Sequence, residues 1–280
     1  MCPLDFNAVT AEKPALGRLK GKTALITGVA RPRGVGAAIA RLFAREGAMV
    51  CLTDLVDEVE DRCEEIRAAG GQALFFKADL TEMSEVEKMV ENIIAGQGKV
   101  DILCNVAGKS VPPRPSFLDM DLEYWDLVMG RNLGTAVHCV KAVLPHMIKS
   151  NYGKIVNLGS TTGLMTVYRY CTAYAASKAA LAAFGKALAL EVGQHNINVN
   201  TILPSDIDTG ETPWKPGDRP RDLGLYEERL APPIARPVRS EEVAELALFL
   251  AGDESRAITG AEYLIDVGLT TVESMPAGPQ

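Results

Sequence analysis

Short apolar runs alternate with longer amphipathic segments from residue 22 to residue 266, and this rhythm restricts the fold more than any other property of the chain. Lys22–Thr27 (KTALIT) reads as a buried strand ending at Gly28. Val35, Ile39, Leu42 and Phe43 then recur at helical spacing, with Gly47 as the stop. Met49–Thr53, Ala73–Lys77, Val100–Cys104, Lys154–Leu158, Ile197–Leu203 and Glu262–Asp266 repeat the strand pattern. Helices are expected over about 57–69 (closed by Gly70-Gly71), along the stripe Val86, Met89, Val90, Ile93 and Ile94, and over about 120–150 and 172–194. A last helix runs from Ser240, the expected N-cap, to about Leu250, with Glu241 and Glu242 in its first turn. Strands separated by helices of ten or more residues can return to one sheet edge only as parallel neighbours. The expected fold is α/β, a single doubly wound domain with a parallel sheet of about seven strands and helices on both faces.

That domain is expected over residues 21–270, after an N-terminal extension of residues 1–20 and before a tail of residues 271–280. Pro, Gly and charged residues crowd about 205–238 without periodicity, and a stretch of that length reads as a lid. The 29 basic and 36 acidic residues leave a net charge of −7, which argues against nucleic acid or an anionic membrane as partner. Apolar stretches such as Ala179–Phe184 are far too short to span a bilayer, and the N-terminus has no export-signal core. The six cysteines lack ligand spacing with the three histidines, so no metal is expected, and the thiols read as reduced in a cytoplasmic protein.

Two constellations carry chemistry. In Thr27-Gly28-Val29-Ala30-Arg31-Pro32-Arg33-Gly34-Val35-Gly36, glycines at a strand-to-helix turn let the backbone approach a pyrophosphate resting on the helix N-terminus. Asp54, with Leu55 after it, ends the second strand 20 residues after Gly34. A carboxylate there accepts both ribose hydroxyls of an adenosine and repels a 2′-phosphate, which favours NAD over NADP. Arg31 and Arg33 pull the other way. In Tyr174-Ala175-Ala176-Ser177-Lys178, the phenol and the ammonium share one helical face, and the ammonium favours phenolate. Ser160 follows the fifth strand on the sheet edge where open α/β folds bind ligands, and Asn132 adds a buried-side amide. His138, His146 and His195, and Tyr124 and Trp125, read as packing.

Over residues 20–270 the sequence resembles the short-chain dehydrogenase/reductase family. The resemblance is carried by the Thr27–Gly36 turn, Asn105-Val106-Ala107-Gly108, Asn132, Ser160, Tyr174-Ala-Ala-Ser-Lys178 and Pro204. It implies a Rossmann-type domain and a catalytic tetrad. In it Tyr174 exchanges a proton with the substrate oxygen, Ser160 holds that oxygen, Lys178 lowers the tyrosine's pKa and binds the nicotinamide ribose, and Asn132 holds a relay water. Cofactor contacts are implied at Gly28, Arg33, Gly34, Val35, Asp54, Leu55, Asp79, Leu80, Asn105, Ala107, Gly108, Tyr174, Lys178, Pro204, the Ile207 backbone and Thr209. The resemblance also implies a homo-oligomer, commonly a tetramer, built through the two long helices. Three departures stand out: five residues rather than three between Gly28 and Gly34, one extra residue between Ser160 and Tyr174, and Ser205 in place of the usual glycine after Pro204.

The expected activity is NAD-dependent interconversion of a secondary alcohol and its ketone. The alternatives are an NADPH-dependent ketoreductase of 3-oxoacyl-type substrates and a non-catalytic nucleotide-binding partner subunit. Lys215, Arg219 and Arg221, beside Trp214 and Tyr226 in the lid, admit an anionic small-molecule substrate.

Overall fold

A computed structural model describes residues 15–112, 114–210 and 232–271. Seven strands form one parallel sheet: β1 (Thr23–Thr27), β2 (Met49–Asp54), β3 (Gln72–Lys77), β4 (Ile102–Asn105), β5 (Gly153–Leu158), β6 (Ile197–Pro204) and β9 (Glu262–Ile265). Their spatial order is β3-β2-β1-β4-β5-β6-β9. A separate two-residue ladder joins β7 (Ile207–Asp208) to β8 (Val238–Arg239). The helices are α1 (Val35–Arg45), α2 (Val59–Ala68), α3 (Met83–Gln97), α4 (Leu122–Met129), α5 (Thr135–Ser150), α6 (Thr172–Val192) and α7 (Ser240–Ala251).

Alternating strand residues feed two cores. Ala24, Ile26, Val50, Leu52, Ile102 and Cys104 face α1, α2 and α7, where Ile39, Phe43, Cys63, Val243 and Leu248 pack. Leu25, Cys51, Leu103, Ile155 and Val199 face the other way, against Val86, Val90 and Ile93 of α3, Val143 and Met147 of α5, and Leu188 of α6. Burial on both faces explains why the strands read as unbroken apolar runs. The chain turns from β1 toward β2 on one side and toward β4 on the other, which opens a crevice at the C-terminal ends of β1 and β4.

Three expectations need correction. The helix expected over 120–150 is interrupted, because Gly130–Gly134 forms one wider π-type turn between α4 and α5 and carries Asn132. Ser240 is the first residue of α7 rather than its cap: its hydroxyl donates to the Arg33 carbonyl (2.8 Å), and Glu242 accepts the Arg239 N–H (2.9 Å). Residues 15–20 are no loose extension. Leu19 is wholly buried, and Glu46 Oε2 accepts the N–H groups of Leu16 and Arg18, both at 3.1 Å. The expected lid is described only at its two ends, 205–210 and 232–238, so Lys215, Arg219, Arg221, Trp214 and Tyr226 lie outside the described residues, as do residues 1–14 and 272–280.

Candidate active site

The crevice at the β1–β4 split is a cleft of about 1020 Å3. One wall starts at Gly28, in the left-handed region (φ +71°), where a Cβ would stand 2.8 Å from the Ala107 nitrogen. Thr27 Oγ1 locks these two segments together by accepting the N–H groups of Val106 and Ala107, both at 2.9 Å. Gly36 lies so close beneath the turn that a Cβ would meet the Gly28 oxygen at 2.3 Å. The two extra residues of the turn fit as an exposed Arg31-Pro32-Arg33 bend, closed by the Gly34 N–H on the Arg31 carbonyl (2.9 Å). Gly34 starts α1 with no side-chain cap, which leaves the first N–H groups of the helix for an anion.

At the other side of the turn, Asp54 Oδ2 accepts the Ala30 N–H (2.9 Å) and Oδ1 accepts the Leu55 N–H (2.8 Å). The carboxylate is thereby fixed at the cleft wall, with Leu55, Glu58 and Arg31 beside it. Asp79 accepts from the Thr81 N–H and hydroxyl, and these bonds hold its carboxyl below the usual range. Leu80 lines the cleft with it, and its carbonyl contacts His138 Nδ1 at 3.0 Å.

The far end of the cleft holds Ser160, Tyr174 and Lys178. Ser160 Oγ accepts the Thr162 N–H (3.1 Å), and the hydroxyl lies near enough to the Tyr174 phenol to favour its ionised form. One turn along α6, the buried Lys178 Nζ donates to the Leu158 carbonyl (2.7 Å) and lies 5.9 Å from the centre of the Tyr174 ring. Burial pushes the phenol up to about 12, against the lowering by Ser160, and burial pulls Lys178 down to about 8. Burial is thus the largest influence on the phenol in this structure.

The cleft brings together Gly28, Gly34, Val35, Asp54, Leu55, Asp79, Leu80, Ala107, Gly108, Ser160, Tyr174, Lys178, Pro204, Ile207 and Thr209. It does not bring in three others. Arg33 is exposed and pairs with Asp208 (3.1 Å). Asn105 is buried within the sheet, where it donates to Asn157 Oδ1 (2.9 Å). The Asn132 side chain is wholly buried and donates to the Val128 and Lys109 carbonyls (2.9 and 3.1 Å), pinning the π-type turn to the loop after β4 instead of reaching into the cleft. The sequence motifs leave out Lys109, Ser110, Arg131 and Thr135, which line the cleft, and give the Thr27 hydroxyl no role. Among the described residues, no group of His, Cys, Asp or Glu is placed to hold a metal ion.

A family model described as enoyl-(acyl carrier protein) reductase matches residues 28–270. Oxidoreductase UcpA of Salmonella typhimurium is 41% identical over 267 residues, covering 94% of this chain and all of that protein. A D-beta-hydroxybutyrate dehydrogenase of Rhizobium meliloti is 33% identical, covering 89% of this chain and 98% of its own. Among solved structures, a short-chain dehydrogenase/reductase of Burkholderia xenovorans superposes with a TM-score of 0.81 at 35% identity, covering 91% of this chain and 99% of that one. The chain belongs to the short-chain dehydrogenase/reductase family. Short-chain dehydrogenases/reductases are oxidoreductases that use NAD(P) nucleotides, act on small molecules and commonly form oligomers. The cleft fits such a nucleotide: two glycines whose Cβ would fill the turn, an uncapped helix start for the diphosphate, and a fixed carboxylate for the ribose. No helix among the described residues is long and apolar enough to cross a membrane.

Proposed function

We propose that this oxidoreductase uses NAD to interconvert a secondary alcohol and its ketone, with Tyr174 exchanging the substrate proton. The observation that carries the reading is the convergence of Ser160, Tyr174 and Lys178 at one end of a cleft whose other end presents the Asp54 carboxylate. NAD held in this cleft would supply the hydride acceptor, and in the oxidative direction Tyr174, as its phenolate, would take the hydroxyl proton of the alcohol at Oη. Ser160 Oγ, beside the phenol, holds the same substrate oxygen. Lys178 is anchored on the Leu158 carbonyl and would hold the nicotinamide ribose. Its charge favours the phenolate that burial opposes. Asn132 acts by positioning the loop after β4.

Preference for NAD is supported by Asp54 and by the engagement of Arg33 with Asp208, which turns that cation away from a 2′-phosphate. The reading includes a homotetramer joined through α4, α5 and α6, supported by the exposed Leu122 and Leu190 on those helices. It also includes a cytoplasmic location, supported by five buried, unpaired cysteines among the described residues. Replacing Tyr174 by Phe tests the mechanism. Turnover of secondary alcohols should fall by about 10²–10⁴ with NADH affinity kept; turnover within threefold of the wild type overturns the assignment.

A further inference from the structure

The turn between β1 and α1 is longer than its family's usual pattern, and its extra part, Arg31-Pro32-Arg33, is exposed. A bend in water has no packing to fix it, so it is held at its two ends. On the α1 side the Gly34 N–H donates to the Arg31 carbonyl (2.9 Å) and the Ser240 hydroxyl to the Arg33 carbonyl (2.8 Å). On the β1 side both polar groups of Ala30 are taken: its N–H donates to Asp54 Oδ2 (2.9 Å), and its carbonyl accepts Arg62 Nη1 (3.1 Å).

Arg62 stands on α2, where Val59, Cys63 and Ile66 are buried in the core, and is itself only 8% exposed. Its Nη2 pairs with Glu65 Oε1 (2.7 Å), and its Nε is buried with no partner among the described residues. A guanidinium withdrawn from water is costly unless it is paired and hydrogen-bonded, so the bond to Ala30 is a large part of what compensates this one. Ala30 lines the cleft and Arg62 does not, so Arg62 bears on the cleft from behind its wall. The second bond to the Asp54 carboxylate, from the Leu55 N–H, comes from the next residue and does not tie Asp54 to the turn. The Ala30 N–H does.

We propose that Arg62 is a positioning residue for nucleotide selection: by holding the Ala30 carbonyl it keeps the Ala30 N–H on Asp54, and so fixes the carboxylate that accepts the ribose hydroxyls and repels a 2′-phosphate. This role rests on the NAD preference proposed above.

The test is NADH and NADPH binding, followed through nicotinamide fluorescence, to the wild type, Arg62→Met, Asp54→Ala and the double variant Asp54→Ala/Arg62→Met. The wild type should prefer NADH by about thirtyfold, and Arg62→Met should lower that ratio below about tenfold, chiefly through weaker NADH binding. A purely structural role weakens both nucleotides alike and leaves the ratio in place. Because Arg62 acts through Asp54, the double variant should keep the ratio of Asp54→Ala within about twofold. If Arg62→Met does not fold, Arg62→Gln, which also loses the charge, is read in the same way. A wild type that prefers NADH and an unchanged ratio in the Arg62 variant overturn the inference alone, as does a further fall in the double variant. A wild type without preference for NADH overturns the parent reading and this role with it.

Discussion

Replacing Lys178 by Met removes an ammonium that is fully buried and held to about 8 by desolvation. In the unfolded chain the same amine titrates near its ordinary 10.5. Its folded value is therefore depressed, and between pH 8 and 10.5 the unfolded state binds more protons than the native one. Stability contributed by this group must then rise with pH. At pH 7 the charged lysine costs the native state about 3 kcal/mol, from roughly 2.5 pKa units at 1.36 kcal/mol each. At pH 10 the cost has dropped to about 1 kcal/mol, because the unfolded amine is itself losing its proton. The hydrogen bond to the Leu158 carbonyl is lost in the variant at every pH and cancels from the comparison. Urea unfolding of wild type and Lys178→Met at pH 7 and pH 10 reads the difference. The wild type should gain about 2 kcal/mol on the variant between the two pH values. A stability gap that stays constant across this range refutes the reasoning that burial governs Lys178.

Thr27→Val leaves the buried N–H groups of Val106 and Ala107 without an acceptor, at about 2–5 kcal/mol for the pair. Denaturant unfolding should show that loss with weakened NADH binding, and Thr27→Ser should restore both. Leu19→Ala truncates a wholly buried side chain ahead of β1 and should cost about 2–4 kcal/mol by thermal unfolding; an effect near zero would show that this segment is no part of the core.

The sheet was legible because both-face burial writes each strand as an apolar run, and Gly28, Asp54, Ser160 and Tyr174-to-Lys178 were legible because local geometry needs those residue types at those places. What the sequence concealed depends on distant partners. Periodicity runs smoothly through 120–150, and only the seating of Asn132 between the Val128 and Lys109 carbonyls marks the π-type turn. Ser240 looks like a cap until Arg33, far away in sequence, offers its carbonyl. Arg33 itself resembles a phosphate ligand until Asp208 comes opposite. The pKa values of Tyr174 and Lys178 turn on desolvation, which four-residue spacing does not encode. Leu19 sits between Arg18 and Lys20 and just after Gly17, where the apolar pattern is too short for any periodic signal.

The preference of the cleft for NAD turns on Asp54, half-buried and fixed by the Ala30 and Leu55 N–H groups. A 2′-phosphate about 4 Å from it meets a repulsion on the order of 4 kcal/mol at intermediate dielectric, screened to about 2 at a partly wet site, or roughly thirtyfold in affinity. Titration of the pure protein with NADH and NADPH, followed through nicotinamide fluorescence and repeated on Asp54→Ala, measures this directly. NADH should bind the wild type about thirtyfold more tightly, and the gap should close in the variant. NADPH binding as tightly as NADH to the wild type, or an unchanged gap in Asp54→Ala, contradicts the role given to this carboxylate.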